Sequence, residues 1–460
     1  MLKSNIAWMK KNVPSDLKVW KGMIQDIDWS QVAAKAKLSL QRDKDRITAE
    51  FKEFAAMDTS AKIDWLMNGD RHLGYLYKKD AIAFARREWK GLKSVGYDFV
   101  GWLKIWGGML NMVMKDPMSI MLAVFEYHWF ASYLATPAVV DRSVFGRRGK
   151  LLQADFDMWV AITHWAEDLI ANLIMADAKI GGNQKINKRI IMFDEMTMAQ
   201  MMAGFPNLLG IPYQMIPVFM VSEMDQLTLI PYIDAIESYG LPSDTCPLPT
   251  AECGCAVKDE YPMCGQGFIA SSMPCDGSVM ATSFQDRRFS KFMPSYPLCM
   301  PVRYDDEDTT EMAAADMKDC IHWVEGLTGE TWNWDTYFAT MEKMNECTRL
   351  EMEKWEINKT HYPQLVGSSF ELFRKWNYEM DGGLFPEGLK TQRKICKTMM
   401  ETYEKKLPAY VGGYEKYRAL IWSCPAHFYA NFSNWLANCW GIYALTEMEA
   451  LNMTKMLNTT

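Results

Sequence analysis

The stretch FIASSMPCD, residues 268 to 276, gives the clearest indication of the fold. Its first five residues are a short apolar run of the kind that forms a buried strand, and Cys275 follows within the same stretch, directly after Pro274. Three further apolar runs of similar length occur at 189–193, 216–220 and 298–302. Helical patterns lie between them. Strands that alternate with helices at this spacing predict a parallel α/β sheet.

Helical patterns dominate the chain on both sides of these runs. Residues 1 to about 190 read as helices, and the apolar residues on every side of Tyr97 to Met114 predict a buried helix. Residues 118 to 140 are long enough to span a bilayer, but Glu126 and His128 lie near the middle, where charge is costly. We therefore predict a second buried helix there and no membrane association.

The end of the chain predicts a second α/β unit. Residues 417–422 predict a strand, 427–438 a helix and 440–445 another strand, which together form a βαβ opening. One such unit leaves its apolar faces uncovered, so we expect either a fragment of a longer protein or a partner that completes the layer. The expected organisation is a helical N-terminal region (1–188), a Rossmann-like parallel-sheet domain with cysteine loops (189–306), a helical linker (307–414) and an incomplete second α/β domain (415–460).

Charge and the N-terminus exclude several classes of protein. The net charge is −7 and there is no basic run, which argues against nucleic acid as a partner. The first residues contain no apolar signal-peptide core. We therefore expect a cytoplasmic protein, in which an odd count of 11 cysteines indicates reduced thiols or metal ligands rather than disulfides.

All of the cysteines lie after residue 245, and five of them lie between Cys246 and Cys275 in a Pro- and Gly-rich stretch that we expect to be irregular. Cys246 and Cys275 each adjoin a proline and are 29 residues apart. Loops at the carboxyl edge of a parallel sheet collect functional residues, so these two thiols are the candidate ligands of one iron–sulfur cluster.

The remaining cysteines have plainer interpretations. Cys253-Gly254-Cys255 is a C-x-C pair without a C-x-x-C partner or a nearby histidine, which is a poor match to structural zinc. A zinc-stapled interaction protein nevertheless stays open as an alternative. Four cysteines on helical patterns are expected to be inert buried thiols: Cys320, Cys347, Cys396 and Cys439. His164 is likewise expected to be a hydrogen-bonded helix histidine rather than a ligand.

The order and spacing of several short pieces carry a family resemblance. The pieces are Thr245-Cys246-Pro247, residues 270–276, residues 301–306, residues 325–329, Trp334-Asp335, Asn345 with Arg349, Gly382-Gly383 and residues 415–418. From about Ile190 to Glu447 the chain resembles the 2-hydroxyacyl-CoA dehydratase and benzoyl-CoA reductase subunit family.

That resemblance implies a specific site. Subunits of the family have two α/β domains and a helical part, and three cysteines hold a [4Fe-4S] cluster. The resemblance assigns the first two ligands to Cys246 and Cys275. The third would come from late in the second α/β domain, a part that this sequence does not contain.

The resemblance also implies a reaction and partners. An ATP-dependent iron–sulfur activator protein would deliver one electron, and the cluster would pass it to the thioester of an acyl-CoA substrate. The outcome is dehydration of a 2-hydroxyacyl-CoA (a lyase) or reduction of an aryl-CoA (an oxidoreductase), with a homologous sister subunit. A non-catalytic partner subunit of the same architecture is the other possibility.

Overall fold

The structure is a computed structural model. It describes residues 28–68, 91–144, 147–180, 189–193, 199–224, 226–271, 276–299, 301, 306–365, 373, 376–377, 381–407, 409, 415–421, 436–447 and 456–459.

A four-stranded parallel sheet lies at the centre of the described part of the chain. Its strands are β1 (Arg189–Phe193), β2 (Leu208–Pro212), β3 (Gly267–Ser271) and β4 (Ser295–Leu298), in the order β2-β1-β3-β4. In β1, Ile191 pairs with Gly210 on one side and with Gly267 on the other. β3 is buried along its whole length, as expected for a strand covered by helices on both faces. The predicted parallel α/β class is confirmed.

The described part of the chain also contains many helices. They are α1 (Trp29–Ala56), α2 (Thr59–Asn68), α3 (Leu92–Lys115), α4 (Pro117–Glu126), α5 (Thr136–Ser143), α6 (Gly149–Ala176), α7 (Met220–Met224), α8 (Ile230–Glu237), α9 (Pro247–Val257), α10 (Asp276–Phe289), α11 (Glu307–Thr328), α12 (Trp334–Asn358) and α13 (Pro386–Glu404). A second parallel pair, β5 (Tyr417–Ile421) and β6 (Ile442–Glu447), follows α13.

The largest core cluster is organised around α6. This helix packs against α3 on one side and α13 on another, and most of its residues are buried. At its N-terminal end a buried ion pair joins Arg147 Nε to Asp155 Oδ2 at 3.1 Å, and Arg147 Nη1 also donates to the Ala409 carbonyl at 2.7 Å. This bridge ties the N-terminal helices to the chain that follows α13.

The prediction of a buried helix at Tyr97 to Met114 is wrong in one respect. The helix exists as α3, but only one face is buried, and the opposite face exposes large apolar side chains such as Phe99, Leu103 and Leu110. A sequence with apolar residues on every side predicts a helix that is covered on every side. The pattern does not show which element of the fold would cover each face.

Two other segment predictions need correction. The apolar run 216–220 is not a strand: Met215–Phe219 form a π-helical turn that continues into α7, and the edge strand is β2 instead. Pro217 explains this, because proline lacks the N–H that a central strand must donate. β4 ends at Leu298, where we predicted a strand to begin.

Residues 118 to 140 form three elements rather than one helix. Asp116 caps α4 by accepting from the Ser119 N–H at 3.3 Å, and extended Tyr127 separates α4 from a 3₁₀ helix, His128–Ala135, that leads into α5. None of the helices that the structure describes combines the length and apolar character needed to cross a bilayer.

Candidate functional site at the start of helix α9

The cysteine-rich segment contains a regular helix, α9, where the sequence suggested an irregular loop. Pro247 occupies its first turn, where a backbone N–H has no partner within the helix, so the N–H that proline lacks is not missed. Gly254 lies in the middle of the helix. A Cβ at this position would lie 1.9 Å from the carbonyl oxygen of Tyr232, so glycine allows α9 to pack directly on the backbone of α8. The Pro and Gly residues that disguise the helix in the sequence thus have structural roles within it.

Cys246 is the N-cap residue of α9 and is exposed to solvent. Its carbonyl oxygen accepts hydrogen bonds from the backbone N–H of Thr250 at 3.2 Å and from the Thr250 hydroxyl at 2.8 Å. The side chain forms no capping bond to the helix. The thiol therefore lies at the positive end of the helix dipole, an environment that favours a thiolate or another anionic group.

The other two cysteines of α9 have the opposite environment. Cys253 and Cys255 are both fully buried. Cys253 belongs to a small apolar cluster with Ile236 and Ala281, whereas Cys255 belongs to the main core. Burial raises the pKa of Cys253 to about 12 and raises that of Cys255 well above its ordinary value. Both thiols are buried and belong to different apolar clusters, so they have the environment of core residues.

Helices α9 and α10 pack side by side and run in the same direction. The contacts at their C-terminal ends show this: Asp259, just after α9, pairs with Arg288 in the last turn of α10. Tyr261 accepts a hydrogen bond at 3.0 Å from Nε2 of Gln285, which also lies in the second half of α10. Further back, Cys253 and Ala281 share a buried cluster.

This register aligns the N-terminal ends as well. Cys253 and Ala281 are 28 residues apart, and Asp259 and Arg288 are 29 residues apart. From Cys253 the helix α9 extends about 9 Å back to its first residue, and α10 extends about 8 Å back from Ala281, at 1.5 Å per residue. The first residues of the two helices, Pro247 and Asp276, thus lie at the same end of the pair.

Positive groups hold the C-terminal end of α9. Lys179 Nζ lies 2.8 Å from Asp259 Oδ1, and Arg288 pairs with the same carboxylate. Burial, together with the nearby Arg288 charge, lowers the pKa of Lys179 to about 8. Glu260 accepts a hydrogen bond from the Tyr232 hydroxyl at 2.6 Å. Cations near the carboxyl end of a helix complement its dipole, so these contacts stabilise the C-terminal end of α9.

The two predicted ligands differ in what the structure says of them. Cys246 lies at the start of α9 as described above, whereas Cys275 lies outside the described residues, between the end of β3 at Ser271 and the start of α10 at Asp276. Within the described ranges, no group of three or more His, Cys, Asp or Glu side chains is arranged to hold a metal ion. Cys246 suits a cluster ligand, being exposed and at a positive helix end, and the buried cysteines of α9 do not.

The expectations for the other thiols and for His164 are confirmed where they are described. Cys320, Cys347 and Cys396 are buried in α11, α12 and α13, and the side chain of Cys439 lies outside the described residues. His164 Nδ1 lies 3.1 Å from Glu387 Oε2, so it is a hydrogen-bonded helix residue.

Several pieces that carry the resemblance have structural roles. Gly329 ends α11 with a left-handed backbone (φ 72°), and Glu325 accepts the Trp332 N–H at 2.8 Å. Asn345 exchanges two hydrogen bonds with the backbone of Leu457, at 2.7 and 2.9 Å, and so fixes the C-terminal stretch against α12. The contacts of these residues are structural: they end a helix and hold chain segments together.

One feature of the molecule was not anticipated from the sequence. Asp381, next to the glycine pair 382–383, is buried and accepts hydrogen bonds from the Trp165 indole N–H at 3.0 Å and the Phe385 N–H at 2.7 Å. Burial raises the pKa of Asp381 to about 7. The only sequence signal was the following Gly-Gly, which indicates a special backbone and says nothing of a buried acid.

The fold and site together define a class: a parallel α/β protein with a cysteine at the amino end of a helix beside the sheet. The family described as 2-hydroxyglutaryl-CoA dehydratase, D-component, matches residues 226–458, about half of the chain. The chain belongs to this family. The match includes α9, α10 and both Cys246 and Cys275, and it excludes the N-terminal helices, β1 and β2. No curated protein matches the chain.

Proposed function

We propose that the chain is a subunit of a 2-hydroxyacyl-CoA dehydratase that carries a [4Fe-4S] cluster, with Cys246 and Cys275 as two of the cluster ligands. Its family is that of a dehydratase component, which favours the lyase over the aryl-CoA reductase. The proposed substrate is a 2-hydroxyacyl-CoA thioester. The proposed partners are a homologous sister subunit and an ATP-dependent activator protein that supplies the electron.

The observation that supports the ligand pair most strongly is the parallel packing of α9 and α10. Cys246 immediately precedes α9 and Cys275 immediately precedes α10 in the sequence. Their separation of 29 residues equals the offset between Asp259 and Arg288, which are in contact at the other end of the pair. Two adjacent helix starts also provide positive dipole ends and backbone N–H groups suited to a negatively charged cluster.

In this proposal the chain's own residues have three tasks. Cys246 supplies a thiolate at an exposed position where substrate has access. The contacts of Asp259 with Arg288 and Lys179 contribute to the alignment of the helix ends opposite the ligands. Buried Cys253 and Cys255 fill the core and stay protonated. When bound, the cluster supplies one-electron transfer to the thioester.

The test is metal content after co-expression with the sister subunit and anaerobic purification. We expect brown protein with about four irons per cluster, as the [4Fe-4S] assignment requires. Cys246→Ser is expected to lose most of the iron and the dehydratase activity. Cys299→Ser is the matched control, because Cys299 is also exposed and follows a strand of the same sheet.

Two results would overturn the proposal. Colourless wild-type protein under anaerobic conditions would indicate a non-catalytic partner subunit. Stoichiometric zinc in place of iron would favour the interaction protein stapled through residues 246–275.

A further inference from the structure

A cavity of about 440 Å³ lies away from α9, on the β2 side of the sheet. Its walls come from α6, from the residues around the 3₁₀ helix Gln200–Gly204, from β2 and from the starts of α12 and α13. The volume falls within the range of small-molecule sites. Every residue that lines it belongs to the described part of the chain.

Aromatic side chains supply much of the lining. The four are Trp165, Phe193, Phe205 and Phe385. Two of these rings also contact neighbouring rings: Phe205 meets Trp332 edge to face at 5.1 Å between centroids, and Trp165 meets Trp376 at 5.5 Å. Aromatic rings attract organic cations to their faces.

The charge of the lining is acidic. Asp381 lies at the buried end and Asp168 at the exposed end, where the Asp168 side chain is 59% exposed and pairs with Lys115 at 2.5 Å. Neither lysine, arginine nor histidine occurs among the lining residues that the structure describes. The Asp381 carboxylate accepts hydrogen bonds from Trp165 and Phe385, and no cationic side chain occurs among the described residues that line the cavity. The cost of burying this carboxylate is visible in its raised pKa, about 7.

We infer that this cavity binds a small organic cation, an amine or quaternary ammonium whose charge lies between the Asp381 carboxylate and the surrounding aromatic rings. The apolar body of such a ligand fits the Leu and Met side chains of the wall. Its positive charge compensates the buried carboxylate, and ring faces attract it further by their quadrupoles. The site is separate from the proposed cluster and does not depend on it.

Choline and 3,3-dimethylbutan-1-ol are the probes, because the alcohol has the same shape without the charge. Isothermal titration calorimetry of the anaerobically purified protein is expected to show choline binding at least tenfold tighter than the alcohol. Equal affinities, or no binding of either probe at concentrations up to tens of millimolar, would overturn the inference.

Variants locate the binding. Asp381→Asn is expected to weaken choline binding at least tenfold and to leave binding of the alcohol unchanged. Asp335→Asn, at the exposed first turn of α12 and outside the lining, is the control and should bind as wild type does. An Asp381→Asn protein that folds and retains wild-type affinity for choline would contradict the site.

A measurement on the wild-type protein covers the case in which the variant does not fold. The Trp165 indole N–H donates to Asp381, so its NMR resonance, assigned with Trp165→Phe, should shift as choline is added and stay in place with the alcohol. An unmoved resonance at saturating choline would show that choline binds elsewhere.

Discussion

The two halves of α9 carry the same residue type in opposite environments. At the first half, Cys246 is exposed at the helix start, whereas in the second half Cys253 and Cys255 are buried with raised pKa values. One helix thus separates a candidate metal ligand from two core residues within about 14 Å, at 1.5 Å per residue. Closeness of cysteines in the sequence therefore does not show that they share an environment.

The largest expected difference between the two halves is chemical reactivity. In metal-free, reduced protein at pH 8, iodoacetamide should modify Cys246 on the order of a hundredfold faster than Cys253 or Cys255, because only thiolates that solvent reaches react. Peptide mass spectrometry over time measures the rates, and exposed Cys299 should react readily as well. Comparable rates for all four thiols in folded protein would show that α9 is not packed as described.

The packing of the second half is tested by Gly254→Ala. The added methyl group would meet the Tyr232 carbonyl oxygen, and such overpacking costs about 2–3 kcal/mol of unfolding free energy. Gly326→Ala is the matched control, because Gly326 also lies in a helix but has no neighbour within 4 Å of an added Cβ. Gly326→Ala should stabilise by about 0.5–1 kcal/mol. Denaturant unfolding of both variants measures the contrast, and equal effects would contradict the close approach of α9 and α8.

Serine substitutions test the difference between the exposed and the buried cysteines of α9. Cys255→Ser places a hydroxyl in the core and should cost about 1–3 kcal/mol of unfolding free energy while leaving iron content unchanged. Cys246→Ser, at an exposed position, should cost less than about 0.5 kcal/mol in metal-free protein. Loss of iron in Cys255→Ser together with retention of iron in Cys246→Ser would contradict the assignment of Cys246 as a ligand.

A small effect is also expected for the ion pair between the C-terminal ends of α9 and α10. Asp259→Asn weakens the contact with Arg288 and Lys179, but Asp259 is 60% exposed, so solvent screens the pair and the loss should stay below about 1 kcal/mol. Thermal unfolding at low and high salt measures it: the difference between wild type and variant should shrink as salt rises. A loss of several kcal/mol would mean that this pair, rather than the apolar cluster around Cys253, holds α9 against α10.

The sequence predicted the parts of the fold that apolar patterns determine on their own. β1 was predicted at its observed bounds, and β3 and β5 nearly so, because short apolar runs bounded by turns are typical of buried strands. The run 216–220 shows that such a run can also form a helical turn. The N-terminus of α12 has the kind of residue that caps helices: Asn333 accepts the Thr336 N–H at 3.0 Å.

The errors come from contacts that lie far apart in the sequence. Helix α9 was hidden because Gly254 and the prolines normally interrupt helices, and only the position of α8 explains the glycine. The exposed face of α3 and the cavity around Asp381 likewise depend on where other elements pack. For the candidate site, the sequence supplied Cys246 and its spacing to Cys275. The division into four domains stays a prediction.

The central claim is that Cys246 and Cys275 lie close enough to share one cluster. The most direct test is to treat the reduced, metal-free protein with a short bismaleimide and to map crosslinked peptides by mass spectrometry. If the two thiols are neighbours, Cys246–Cys275 is expected to be the main intramolecular crosslink. Full labelling of both thiols by a monofunctional maleimide, with no crosslink between them, would contradict it.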